Sequence, residues 1–556
     1  MKNEKIKNLL IFLIIALMVI PFGGCSKESS NTSSSYLTSV SVEYKDEDTT
    51  STWDASSVTK ITLNGSSASV DGSGAQVNNS AVSITSAGTY VLSGTLNNGT
   101  IVVDADKDDI VRIILNNANI TNLIGPAIYG VSADKVIITI ADNTTNNLSD
   151  SDSYVLKAGE DEPDSVIFCK TDLSINGGGT LNITGNYKNG ITSKDDLMIT
   201  GGNIKVTAVN DAIKGKDSIA VKSGTFTLIA NSGSGLKASN ADDTQKGYIS
   251  IDGGTFNIKS TGKGILSESL LQINLGTLNI VSADDALHSN GNILISGGNI
   301  IISAGDDALH ANSVLTVNAG SIFVKNCYEG LEALALTING GVIDLTSKDD
   351  GFNSAGGADS SSDNNNKNNK DQFANDTDCT ITITGGDITL NTGGDGIDSN
   401  GSIYFKGGVL KISGPVSNAD APVDYNGTCY LTGGTLTIAG SSGMTQSPST
   451  SSTQYSITVI FSSAQTACST VTLTDENGST VLSYTPNKKY QSILLSSASL
   501  VKGGTYTLKV NNKELTDITI SSVVTTISDN GTQVTNNNSG GQTRTPGNNN
   551  NMPGRN

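Results

Sequence analysis

Asp284-Asp285-Ala286-Leu287-His288, Ile293-Leu294-Ile295, Gly297-Gly298, Ile300-Ile301-Ile302 and then Asp306-Asp307-Ala308-Leu309-His310 form the stretch that decides the fold. Asp285 and Asp307 are 22 residues apart, and similar units run before and after them. Aligned on the last glycine of each turn, the units place Gly179, Gly202, Gly224, Gly254, Gly276, Gly298, Gly320, Gly341, Gly386, Gly408 and Gly434 at steps of mostly 21 to 23 residues. A period of this size marks a repeat architecture. Apolar residues alternate after the glycine (Ile204/Val206, Phe226/Leu228, Ile300/Ile302) and before it (Leu197/Ile199, Ile219/Val221, Ile293/Ile295). A single apolar position (Ile213, Leu236, Ile265, Leu287, Leu309, Leu331, Phe352, Ile397) marks a third segment. Three short alternating strands and tight corners fit into 22 residues at ~3.3 Å per residue. The expected fold is all-β, a single-stranded parallel β-helix whose coils stack at ~4.8 Å. No proline occurs between Pro163 and Pro415, as ladders of backbone N–H groups require.

Outward from the repeat, the 556-residue chain divides into unequal parts. Residues 1–25 carry Lys2, Lys5 and Lys7, an apolar run from Leu9 to Ile20, and Phe22-Gly23-Gly24-Cys25, which together read as a secretory lipoprotein signal with Cys25 lipidated. Residues 26–55 read as a flexible Ser/Thr-rich spacer and 56–440 as the β-helix. Residues 441–455 read as a linker, 456–528 as a small β-domain or cap, and 529–556 as a disordered Asn/Gly tail. Insertions at 238–247 and 354–378 follow the third segment of their coils, and the second reads as disordered. Cys379 and Cys429 fall at inward strand positions. A net charge of −19 with only three arginines argues against nucleic acid. It suits an extracellular protein, lipid-anchored at the cell membrane, that takes up cations; a monomer is expected.

The chemistry gathers just before the third apolar position. That column reads Asn189, Asp211, Ser234, Lys263, Asp285, Asp307, Glu329, Asp350, Asp395 and Asp420. Asp284, Asp306 and Asp349 precede it, and Thr192, Lys214, Lys237, Leu266, His288, His310, Glu332, Asn353, Asp398 and Asp424 follow it by three or four. Two carboxylates ~4.8 Å apart at an effective dielectric of ~20 repel by ~3.5 kcal/mol. For one isolated Asp, a side chain that accepts a turn amide is explanation enough. For Asp284, Asp285, Asp306, Asp307, Glu329, Glu332, Asp349 and Asp350 together, shared Ca²⁺ is the expectation, because two oxygens ~2.4 Å from one ion lie up to ~4.8 Å apart. His288 and His310 stack at the same spacing, either as a plain ladder or as ligands of a transition metal.

The repeated Gly-Gly turns with Asp-Ala/Gly-apolar corners (Asp211-Ala212-Ile213, Asp285-Ala286-Leu287, Asp307-Ala308-Leu309, Asp350-Gly351-Phe352, Asp395-Gly396-Ile397) resemble those of bacterial carbohydrate-binding domain-containing lipoproteins. These are right-handed β-helices similar to calcium-dependent pectate lyases. The resemblance covers about residues 60–440 and implies Ca²⁺ in the coils and binding to plant-type polysaccharides such as cellulose or polygalacturonate. A lyase of that kind uses a neutral Lys or Arg to abstract a proton beside a uronate carboxyl. Lys214 and Lys237 are the available bases, but both lie two or more coils from the densest acids, so binding without turnover is the expectation, with a lyase or an adhesive stalk as alternatives. Tyr248, Tyr404 and Tyr430 have outward parity and offer faces for sugar.

Overall fold

The computed structural model describes residues 36–355 and 376–534. Cys25 and the signal, most of the second insertion and residues 535–556 lie outside them. The regular structure of the described residues is β-strand apart from one helical turn, Asp46–Thr49, and the repeat sets how the strands pair. Leu287 lies beside Leu309, Ile293 beside Leu315 and Ile300 beside Ile322, each across a parallel ladder. Each lap of chain thus contributes to three ladders, and a strand usually pairs with the strand three further on. Thr225–Ala230, Thr255–Ser260 and Thr277–Ser282 follow one another in the ladder after the glycine turn. The alternating apolar residues all turn inward and are buried. Equal residues fall on one another, so Phe226 stacks on Phe256 with ring centres 4.4 Å apart. The turn glycines are obligatory: Gly298 has φ +91°, and a Cβ there would meet the Gly276 carbonyl oxygen at 3.1 Å.

Both ends of the stack close with antiparallel pairs. At the N-terminal end Thr59–Gly65 pairs antiparallel with Ala68–Asp71, and Ala75–Asn78 with Ala81–Ile84. At the other end Cys429–Gly440 accepts Tyr490–Ser496 antiparallel across its edge, and that strand carries Ser456–Gln465. A four-stranded antiparallel sheet (Val471–Thr474, Thr480–Tyr484, Thr505–Val510, Lys513–Thr519) encloses a second apolar core with them. The C-terminal region therefore caps an open ladder, as a solenoid end requires.

Two segments expected as linkers are instead held in place. Residues 36–54 lie along the laps as a strap. Asn292 donates to the Leu37 carbonyl, Gln272 exchanges two hydrogen bonds with Val40, and the Tyr44 hydroxyl donates to Asp252 at 2.7 Å. Further on, Asn176 and Thr200 donate to the Asp48 carbonyl, and Lys135 pairs with the Asp48 carboxylate at 2.9 Å with both groups buried. Gln272, Asn292 and Asn176 are buried because the strap covers them. Composition misled here: polar residues that look solvated satisfy a row of polar side chains on the ladder. Residues 441–455 likewise bond to the last laps, Ser449 and Thr453 donating to Cys429 and Leu431. The first insertion folds back through Lys246 and Asn240 onto Asp217. Cys379 and Cys429 are buried as expected.

Lys135→Met would leave the Asp48 carboxylate buried without its partner, at a cost of about 3–5 kcal/mol. Urea unfolding of this variant is expected to show a lower midpoint; an unchanged midpoint would mean that the strap is not held as described.

Candidate functional site

The acidic corner is built by backbone. The amide after each column residue donates to the column carbonyl of the next lap: Gly264 to Asp285, Ala286 to Asp307, Ala308 to Glu329, Gly330 to Asp350 and Gly351 to Asp395, all at 2.9 to 3.0 Å. Small residues are needed at this step, since a Cβ at Gly330 would come within 2.0 Å of the Gly351 oxygen. The column then continues through Ala421, to which Gly396 donates, and not through Asp420 as the spacing had suggested. One extra residue in that lap shifts the register. Beside it runs an outer column of Asp306, Tyr328, Asp349 and Gly394, bonded in that order, with Asp284 in the lap before. Asp284, Asp306 and Tyr328 line an open depression of about 590 Å³ with Thr261, Ala283 and Gly305. Tyr328 is 45% exposed there.

Two devices handle the stacked charge. The first is the turn-amide ladder: Asn189, Asp211, Asp285, Asp350 and Asp395 each accept, through one side-chain oxygen, the amide of the next column residue. The second is counter-charge, which among the described residues gathers around Asp284, Asp285 and Asp307. Lys263 Nζ lies 2.6 Å from Asp285 and 3.2 Å from Asp284. Burial alone would lower the Lys263 pKa, but the two aspartates outweigh it and hold the group protonated. Burial would raise Asp285, yet His288 and Lys263 hold its carboxyl well below the usual range. His288 Nδ1 sits 2.8 Å from the same oxygen, and the two histidine rings stack 4.8 Å apart. Glu332 turns to His310 at 2.9 Å and closes on the column carboxyl of Asp307, the three groups meeting within 4.8 Å.

Around Asp350 and Asp395 the described residues show no such balance. Among the described residues no lysine or arginine pairs with Asp350, Asp395 or Asp398, whose carboxylate oxygens lie within 4.8 Å of one another. Burial and the adjacent acids push Glu329 up to about 7 and Asp350, Asp395 and Asp398 each up to about 8. Asp350 and Asp395 each spend one oxygen on an amide. The other is the one available to a cation. A second close set comprises Asp284, Asp285 and Asp306 at the edge of the depression.

Residues 78–330 match the carbohydrate-binding domain-containing protein family. The chain is 42% identical over 128 residues to a carbohydrate-binding domain-containing protein of Acetivibrio thermocellus, a match that takes in 23% of this chain and 45% of the relative. The chain thus spans less than half the length of that curated relative. A solved structure, the polysaccharide lyase-like protein from C. thermocellum in a gadolinium derivative, is 32% identical and is covered over 95% of its length by 46% of this chain, with a TM-score of 0.40. The family segment holds Lys263, Asp284, Asp285, Asp306, Asp307, Tyr328 and Glu329, and ends before Glu332, Asp349 and Asp350.

The structure brings Asp284, Asp285, Asp306, Asp307 and Glu329 onto adjacent laps, with Asp349 and Asp350 next to them. Lys214 and Lys237 pair with each other across one rung and are followed by Leu266, so they stay apart from the acids. Tyr404 stacks on Tyr430, with Lys406 Nζ 5.2 Å from the Tyr404 ring centre, which occupies ring faces that sugar would need. Tyr248 is half-buried beside Tyr44. Tyr328, Asp395 and Asp398 were not among the expected site residues. Tyr328 was legible: Cys327-Tyr328-Glu329 aligns with Ala283-Asp284-Asp285 and Gly305-Asp306-Asp307.

Carboxyls raised in the folded state bind protons that the unfolded chain, with values near 4, has already released. Their contribution is fully present below about pH 4 and is lost as pH rises to about 7–8. In chelator, thermal melts are expected to fall between about pH 5 and pH 8, and added Ca²⁺ to raise the melting point at pH 8 and little at pH 5. Equal Ca²⁺ shifts at both values would argue against a cation seat on these carboxyls.

Proposed function

We propose that this chain is a right-handed, single-stranded parallel β-helix that binds polysaccharide, with Ca²⁺ on its acidic corner. The observation that carries the reading is the family match over residues 78–330 together with the depression that the same segment forms from Asp284, Asp306 and exposed Tyr328. Aromatic faces stack on sugar rings, and carboxylates hold hydroxyls directly or uronate groups through a shared divalent cation. Asp350, Asp395 and Asp398, with Glu329 beside them, are the seat with least internal counter-charge, and Asp284, Asp285 and Asp306 the seat nearest the depression. Hard oxygen donors of this kind suit Ca²⁺. The glycan is of plant cell-wall type, pectin-like or cellulosic, and the protein is extracellular, held at the membrane through lipid on Cys25.

Binding without turnover is favoured over a calcium-dependent lyase by one feature. Lys263 is the base placed against the acids, and they keep it protonated, whereas proton abstraction needs a neutral amine. A purely adhesive stalk would not need the corner at all.

Retention on polygalacturonate and on insoluble cellulose, with Ca²⁺ and with chelator, tests the reading. Tyr328→Ala and Asp306→Asn are each expected to weaken retention roughly tenfold, the scale of one lost stacking or charge-assisted contact. Ultraviolet absorbance from an unsaturated product would establish the lyase instead. Absence of retention on both glycans would remove the binding reading.

A further inference from the structure

The chain has two histidines, and the fold puts both in one place. His288 and His310 pair across one rung, with rings 4.8 Å apart and within 4° of parallel. Each belongs to the same six-residue unit, Asp285-Ala286-Leu287-His288-Ser289-Asn290 and Asp307-Ala308-Leu309-His310-Ala311-Asn312. In both, Nδ1 faces the column aspartate and Nε2 faces the Asn side-chain oxygen at 2.9 Å. At the first histidine the amide orientation is set by the Asn290 NH₂ group, which donates to Glu268 at 2.6 Å. An amide oxygen only accepts, so Nε2 carries hydrogen and Nδ1 is the nitrogen left for other chemistry.

The two histidines then part company. His288 Nδ1 meets one carboxylate, Asp285, which Lys263 already balances. His310 Nδ1 meets two: Asp307 at 2.9 Å and Glu332 at 2.9 Å. One N–H cannot point fully at both oxygens. The site is also nearly dry, with His310 1% exposed and Glu332 forming the rim. Two carboxyls and one imidazole thus converge on a single enclosed point, their donor atoms all within 4.8 Å of one another.

We propose that His310 Nδ1, Asp307 Oδ2 and Glu332 Oε2 bind one divalent ion of the zinc class, separate from the carboxylate seats of the corner. With metal–ligand bonds of ~2.0–2.1 Å, three such atoms stand about 2.9 Å apart at 90° and about 3.3 Å apart at 109°. The two separations of 2.9 Å match two edges of a three-ligand face, and all three donor atoms lie within 4.8 Å of one another, so an ion can bridge them with little side-chain movement. The Nε2–H to Asn312 bond is the outer contact that commonly orients a metal-bound imidazole. A nitrogen donor selects against Ca²⁺, whose ligands are oxygens. Solvent on the Glu332 side completes the coordination. The unit was visible in sequence as a repeat, but Glu332 joins it only because the next lap stacks on it.

The test uses the purified full chain after dialysis against chelator, titrated with Co²⁺ and followed by its visible absorption, then competed with Zn²⁺. One Co²⁺ per chain is expected, displaced by Zn²⁺ and not by excess Ca²⁺. Glu332→Gln and His310→Gln should each weaken binding at least tenfold, whereas His288→Gln should leave stoichiometry at one. Glu332 lies at the rim, so its variant reports on binding even where the His310 variant fails to fold. No saturable Co²⁺ binding by the unaltered chain, or binding unchanged in Glu332→Gln, would overturn the assignment. Polysaccharide retention with Ca²⁺ should be indifferent to Glu332→Gln, so failure here is distinct from failure of the glycan reading.

Discussion

The parallel ladder is the constraint from which the rest follows. Each lap hydrogen-bonds to the next with a constant offset, so a residue's neighbours are its counterparts about 22 positions away. Inside, this stacks apolar side chains on like side chains, and the core is continuous along the chain. At the corner the same register stacks carboxylates. The backbone cannot avoid the second consequence while keeping the first.

The corner meets that charge in different ways along its length. Amides of the next lap take one oxygen of several aspartates, lysine and histidine take the other at Asp285, and nothing among the described residues does so at Asp350, Asp395 and Asp398. The gradient turns a repeated structural motif into a local chemical one. The same Asp-Ala/Gly-apolar unit is self-sufficient in one lap and cation-seeking a few laps on. Tyr328 replaces an acid in the outer column, which introduces an aromatic face where repulsion would otherwise build up.

The strap and the cap show how the ends and flank of such a stack are finished. Antiparallel strands cover the open ladder at each end, and residues 36–54 occupy a row of outward polar side chains on the strands before the glycine turn. The acidic corner lies on another part of the lap and stays open to solvent at the Tyr328 depression.

From the sequence alone came the period, the inward positions, the glycine turns and the alignment of Asp285 with Asp307, because a repeat forces equivalent residues into equivalent places. The acidic columns were legible for the same reason, down to the extra residue before Ala421 that broke the count. What only the tertiary structure decided was how each charge is met. Lys263 reaches back to Asp284 and Asp285, Glu332 turns to His310, and a polar stretch that reads as a spacer lies down on Gln272 and Asn292. Side-chain direction and long-range docking carry no period, and so no repeat in the sequence announces them.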